Sequence, residues 1–69
     1  MKKEELGKII RARRKVLNLT IGKLAEYTGL SRTTISDIEL GKIHPRLDAI
    51  NEILSFLNLE MIIEVKQVK

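Results

Sequence analysis

A chain of 69 residues with no cysteine and a single histidine makes one small domain near the lower size limit for folding without staples, with no disulfide framework, no thiolate metal site and no metal site that His44 could build alone, and no cofactor is expected. Thirteen Lys/Arg against nine Asp/Glu leave a formal charge of +4, which favours a polyanionic partner, most often nucleic acid. No apolar run approaches the roughly 18 residues of a membrane span, and the opening MKKEELGK has no apolar segment behind it, so neither membrane insertion nor a signal peptide is expected and a cytoplasmic setting is.

Residues 4–17, EELGKIIRARRKVL, predict a first helix. Leu6, Ile9, Ile10, Arg13 and Leu17 recur at spacings of three and four and define its inner face. Glu4 and Glu5 sit in the first turn and Arg13, Arg14 and Lys15 near the last, as the helix dipole favours, with Asn18 as a left-handed stop. Thr20 caps a second, short helix over 21–27 whose inward residues are Leu24 and Ala25, and Gly29 ends it. Ser31 caps a third helix over 32–40, with Ile35 and Ile38 inward and Gly41 as its stop. KIHPR is a loop, because Pro45 keeps the residue before it out of helical geometry. A fourth helix follows over 47–57, striped by Leu47, Ile50, Ile53, Leu54 and Leu57, with Asn58 to end it.

The period then changes. In LEMIIEVKQ, Leu59, Met61, Ile63 and Val65 alternate with Glu60, Ile62, Glu64 and Lys66, which reads as a strand. A lone strand lacks a hydrogen-bonding partner, and the simplest partner is the same strand of a second copy across a two-fold axis. The alternative is a frayed tail or an extension of the fourth helix. The division that follows is a helix-turn-helix domain over 1–58 and a dimerisation strand over 59–69.

The two short helices joined by YTGLS have helix-turn-helix spacing, with Gly29 permitting the sharp turn and Ala25 a close approach. From Ile9 to Leu59 the chain resembles the phage repressor/Cro-type (XRE) helix-turn-helix family: Arg14, Leu19-Thr20, Leu24-Ala25, Gly29-Leu30-Ser31, Ile35-Ser36, Glu39, Gly41, Pro45 and Leu57 fall in register. The resemblance implies an all-α, lambda-repressor-like four-helix domain that binds double-stranded DNA. It also implies a buried structural ion pair of Arg14 with Glu39. The residues agree to the extent that Glu39 falls on an otherwise inward face, where a carboxylate needs a partner.

In that family the third helix enters the major groove, its first residues toward base edges. Matched by position, the base-contacting candidates are Arg32, Thr33, Ser36 and Asp37. Arg32 suits guanine O6 and N7, and Asp37 could accept from cytosine N4 or instead hold Arg32 or Arg46 in place. Candidates for phosphate are Thr20, Lys23, Thr34, Lys42 and Arg46, at helix ends and in flanking basic positions. Arg11, Arg13 and Lys15 read as solvated charge. Two departures from the family stand out: Ile21 replaces a glutamine that braces the third helix, and Arg46 replaces a serine cap.

The tail segment LNLEMIIEVKQ is similar to that of HipB-like antitoxins of HipA-type toxin–antitoxin pairs, dimeric repressors whose final strands pair across the dimer axis. That resemblance implies a homodimer closed by Phe56, Leu57, Leu59, Met61, Ile62, Ile63 and Val65, and a HipA-like kinase toxin as a further partner. The expected function is therefore a dimeric repressor of antitoxin type on an inverted-repeat operator. The alternatives are a solo regulator without a toxin and a protein-interaction adaptor. Catalysis is not expected, since neither Ser31 nor Ser36 has a base at a suggestive spacing and no glycine-rich phosphate loop is present.

Overall fold

Most helix ends fall where a side chain or a left-handed residue satisfies loose backbone groups, the exceptions being the starts at Lys3 and Leu47, which have no side-chain cap. The computed structural model describes residues 1–66. It holds α1 (Lys3–Val16), α2 (Ile21–Thr28), α3 (Arg32–Glu39) and α4 (Leu47–Phe56). The left-handed stops are Asn18 (φ 57°), Gly29 (φ 75°), Gly41 (φ 71°) and Asn58 (φ 56°), the four positions the sequence marked. After α1, α3 and α4 the chain closes with the same paired bonds, for example Asn18 N–H to the Lys15 carbonyl and Leu19 N–H to the Arg14 carbonyl, both 3.0 Å.

The core lies between the helices. Helix α1 packs on α3, α3 on α2, and α2 on α4. Ile10, Leu24, Ile35, Ile38, Ile53 and Leu57 are almost wholly removed from water. At roughly 1.5–3 kcal/mol for each large apolar side chain, this aliphatic cluster is the main favourable term.

The inner face of α1 differs from the sequence expectation. It is Leu6, Gly7, Ile10 and Arg14 that are buried, whereas Ile9 and Leu17 stay 44% and 38% exposed. A glycine and an arginine at the centre of the stripe hide it from an apolar count. Gly7 is buried because α1 crosses the end of α3 there: a Cβ on it would come within 2.6 Å of the Glu39 carbonyl oxygen. Arg13, set on the inner face by its spacing yet read as solvated charge, is part-buried and donates from Nε to the Leu57 carbonyl at 2.9 Å, a cation at the C-terminal end of α4. Leu47, expected in the α4 stripe, is 66% exposed at the first residue of the helix, before the stripe meets the core.

The tail also departs from expectation. None of the described residues is in a strand, and residues 67–69 of the expected dimerisation segment lie outside the description. A sheet ladder needs a second strand, and the described residues offer none. Leu57, expected at a dimer interface, is fully buried in the core of its own chain. Leu59 packs partly against that core, and Phe56 stacks on Tyr27 with ring centroids 5.4 Å apart. Beyond them Met61, Ile62, Ile63 and Val65 are exposed.

Candidate nucleic-acid interface

The turn between α2 and α3 is built from short polar side chains. The Thr28 hydroxyl donates to the Leu24 carbonyl at 2.8 Å and closes the last turn of α2. Gly29 takes the left-handed conformation, its N–H on the Ala25 carbonyl at 2.9 Å. Leu30 then packs against the core, and Ser31 opens α3 by accepting from Thr34 N–H at 3.1 Å. Thr20 opens α2 in the same way, accepting from Lys23 N–H at 3.0 Å. Both helices therefore begin at exposed, capped ends.

Arg14 fixes where α3 sits. Its Nε donates to Glu39 Oε2 at 2.6 Å and its Nη2 to Glu39 Oε1 at 3.0 Å, while Nη1 donates to the Leu19 carbonyl at 2.8 Å. One guanidinium thus ties α1, the approach to α2 and the end of α3. Both residues are buried, and no buried side-chain nitrogen or oxygen among the described residues lacks a hydrogen-bond partner. The hydrogen bond to the carboxylate outweighs burial and raises the Arg14 pKa above its ordinary value, so the guanidinium stays charged.

The outer face of α3 presents the residues singled out from the sequence. Arg32 and Thr33 are exposed, and Ser36 and Asp37 are half-buried on the next turn. Thr34 is partly occupied, because its hydroxyl accepts from the Ser31 hydroxyl at 2.9 Å. Asp37 makes no ion pair with Arg32 or Arg46 among the described residues, so the holding role considered for it is not formed in the free chain. Ile21, where the family often has glutamine, packs against the core.

The basic candidates differ in how free they are. Lys23 lies 3.7 Å from Glu26, and Arg46 lies 3.6 Å from Asp48. Both pairs are well exposed and correspondingly weak, so either cation can exchange its carboxylate for a phosphate. Lys42, exposed after the Gly41 stop, has no carboxylate partner among the described residues.

Two glycines matter here that sequence reasoning missed. Gly7 lets α1 seat the end of α3, as described above. Gly22, in the first turn of α2, lies beneath the Arg32 guanidinium: a Cβ there would meet Nη2 at 2.8 Å, Cζ at 2.9 Å and Nε at 3.0 Å. An unexplained glycine inside a capped helix was the available signal.

Among the described residues there is no group of three or more His, Cys, Asp or Glu placed to hold a metal ion, and no helix is long and apolar enough to cross a membrane.

Comparison with known proteins bears on this geometry. A helix-turn-helix family model matches residues 10–62. The 10 kDa protein of the ImmF control region of Bacillus phage phi105 is 34% identical over 58 residues, which is 84% of this chain and 64% of that protein. A putative HTH-type transcriptional regulatory protein of Methanocaldococcus jannaschii is 32% identical over 56 residues, 81% of this chain and 18% of that protein. The chain thus spans under two thirds of the length of either of these curated relatives. Among solved structures, the restriction-modification controller protein C.AhdI from Aeromonas hydrophila matches with a TM-score of 0.80 at 26% identity, over 84% of this chain and 88% of that one.

Proposed function

This chain belongs to the helix-turn-helix family, and from that premise we propose that it is a dimeric, sequence-specific DNA-binding transcriptional repressor acting on an inverted-repeat operator. The observation that carries the reading is the outer face of α3: Arg32 and Thr33 exposed at its capped start, with Ser36 and Asp37 one turn on. Arg32 reads guanine by two hydrogen bonds, and Thr33, Ser36 and Asp37 face neighbouring base edges. Thr20, Lys23, Thr34, Lys42 and Arg46 set the register on phosphates. Occupancy of a promoter excludes polymerase, and no cofactor takes part.

Two copies are supported by the tail. Met61, Ile63 and Val65 alternate with Glu60, Ile62, Glu64 and Lys66, and Ile63 and Val65 are 93% and 97% exposed in the single chain. Apolar β-formers at that exposure favour pairing with the same segment of a second copy. Half-sites then lie roughly one helical turn, about 34 Å, apart. The names of the relatives are those of control and regulatory proteins. They favour a control protein working without a toxin over an antitoxin held by a HipA-like kinase, a partnership that rests on the tail's resemblance.

The test is selection of preferred duplexes from a random pool by the purified full chain, followed by sizing of the free and bound protein. An enriched inverted repeat bound by two chains is the expected result. Weak, salt-sensitive binding without enrichment would instead favour a protein-interaction adaptor.

A further inference from the structure

The first turn of α2 carries a glycine for which its own helix has no use. Gly22 does not adopt the left-handed conformation, and it follows a well-formed Thr20 cap. Alanine would suit such a position better, because glycine is among the poorest helix formers. What occupies the missing side chain's space is the Arg32 guanidinium. Nη2, Cζ and Nε would lie at 2.8, 2.9 and 3.0 Å from a Cβ built on Gly22. Three nearly equal distances mean that the group presents its flat face, not its edge, to α2. Arg32 makes no ion pair and no side-chain hydrogen bond among the described residues, so its donors remain available around the rim of that plane.

We propose that Gly22 is a specificity-determining positioning residue: its bare backbone is the seat on which the Arg32 guanidinium lies, pre-oriented for a guanine edge. The inference rests on the reading of Arg32 as a base reader. Arginine loses much rotamer freedom on engaging a base, and a seat formed before binding removes part of that loss. The seat is steric, so a single methyl group fills it. Because the displaced group is the far end of a flexible side chain, the helix itself tolerates the methyl.

Binding of the full chain is measured to the best duplex enriched from a random pool and to a scrambled duplex at one salt concentration, for wild type, Gly22→Ala, Arg32→Ala and the double variant. Gly22→Ala should melt no lower than wild type, yet its preference for the enriched duplex should fall by about 2- to 10-fold, the size of one ordered side chain. Arg32→Ala should lose about 5- to 150-fold of that preference, and adding Gly22→Ala to it should take away nothing more. If Arg32→Ala loses preference and Gly22→Ala does not, the seat is wrong and the reading of Arg32 stands. Equal weakening of both duplexes by Gly22→Ala also overturns the seat. An unchanged preference in Arg32→Ala removes the reading of Arg32 and the seat with it. A measurement on the wild-type chain is independent of any variant's folding: the Arg32 Nε–H should be motionally restricted by NMR relaxation relative to that of exposed Arg46. Equal mobility of the two would overturn the proposal.

Discussion

Helix α3 has two faces that obey different rules. Ile35, Ile38 and Glu39 turn inward and are buried, with Glu39 held by two hydrogen bonds from Arg14. Arg32 and Thr33 turn outward and make almost no contact that the fold requires. The inner face is determined by its surroundings, since an unpaired carboxylate or a void there carries a direct penalty. The outward residues carry little of the fold's stability, which leaves their identity open to be set by a ligand. Substitutions on the two faces should therefore separate stability from recognition.

The largest effect belongs to the inner face. Glu39→Ala leaves Arg14 charged and buried without its carboxylate and should destabilise the fold by roughly 3–5 kcal/mol. A domain of this size has in total only about 3–10 kcal/mol, so thermal melting should show much of the variant unfolded near room temperature. Replacing both partners with apolar residues should recover most of the loss, because no charge is then stranded. Unfolding of Glu39→Ala at the wild-type temperature would show that the pair does not hold α3.

The second effect concerns how many outer faces act together. Ending the chain after Leu59 keeps the Leu59 N–H bond to the Leu54 carbonyl at 2.8 Å, and hence the stop of α4. It removes Met61, Ile62, Ile63 and Val65. Stability of the single domain should change little, while affinity for an inverted repeat should fall by a factor on the order of 10²–10⁴, as expected when two linked sites become independent. Sedimentation of the shortened chain should show a monomer. A dimer of undiminished strength would move the interface elsewhere, and half-exposed Phe56 on Tyr27 would then be the first surface to examine.

The same division explains what was legible in the sequence. Helix boundaries were, because caps and stops are local chemistry: Thr20, Ser31, Asn18, Gly29, Gly41 and Asn58 act within a few residues of themselves. The α1 face was only partly legible, because the buried stripe contains Gly7 and Arg14, and neither counts as apolar. Leu57 belonged to the α4 stripe by its period and was set at a dimer seam only by the tail's resemblance to HipB-like antitoxins; in the fold it closes the core of its own chain. The places where backbone is approached closely, Gly7 under α3 and Gly22 under Arg32, depend on which helices cross, and a glycine does not name what lies above it. The tail's alternation was visible, but a strand forms only against a second one, and none is present among the described residues.

On the outer face itself, two substitutions should differ in kind. Arg32→Ala should reduce preference for the enriched duplex by about 1–3 kcal/mol, with little change on random DNA. Equal loss on both duplexes would place Arg32 among the phosphate contacts and leave Thr33, Ser36 and Asp37 to carry the sequence.

Lys42→Ala should give the smallest effect and the most diagnostic one. A lysine that meets a phosphate releases a counterion whatever the sequence, so its removal should weaken both duplexes alike and flatten the dependence of log affinity on log salt by about one. Lys42 is a cleaner test than Lys23 or Arg46. Each of those already faces a carboxylate, Glu26 at 3.7 Å and Asp48 at 3.6 Å, so removing it also frees a negative charge near the DNA. Their alanine variants combine a lost attraction with an unmasked repulsion, and the salt slope then reports both. For Lys42 it reports one contact, and an unchanged slope would place that side chain in solvent and shift the path of the phosphate backbone toward the α2 end of the motif.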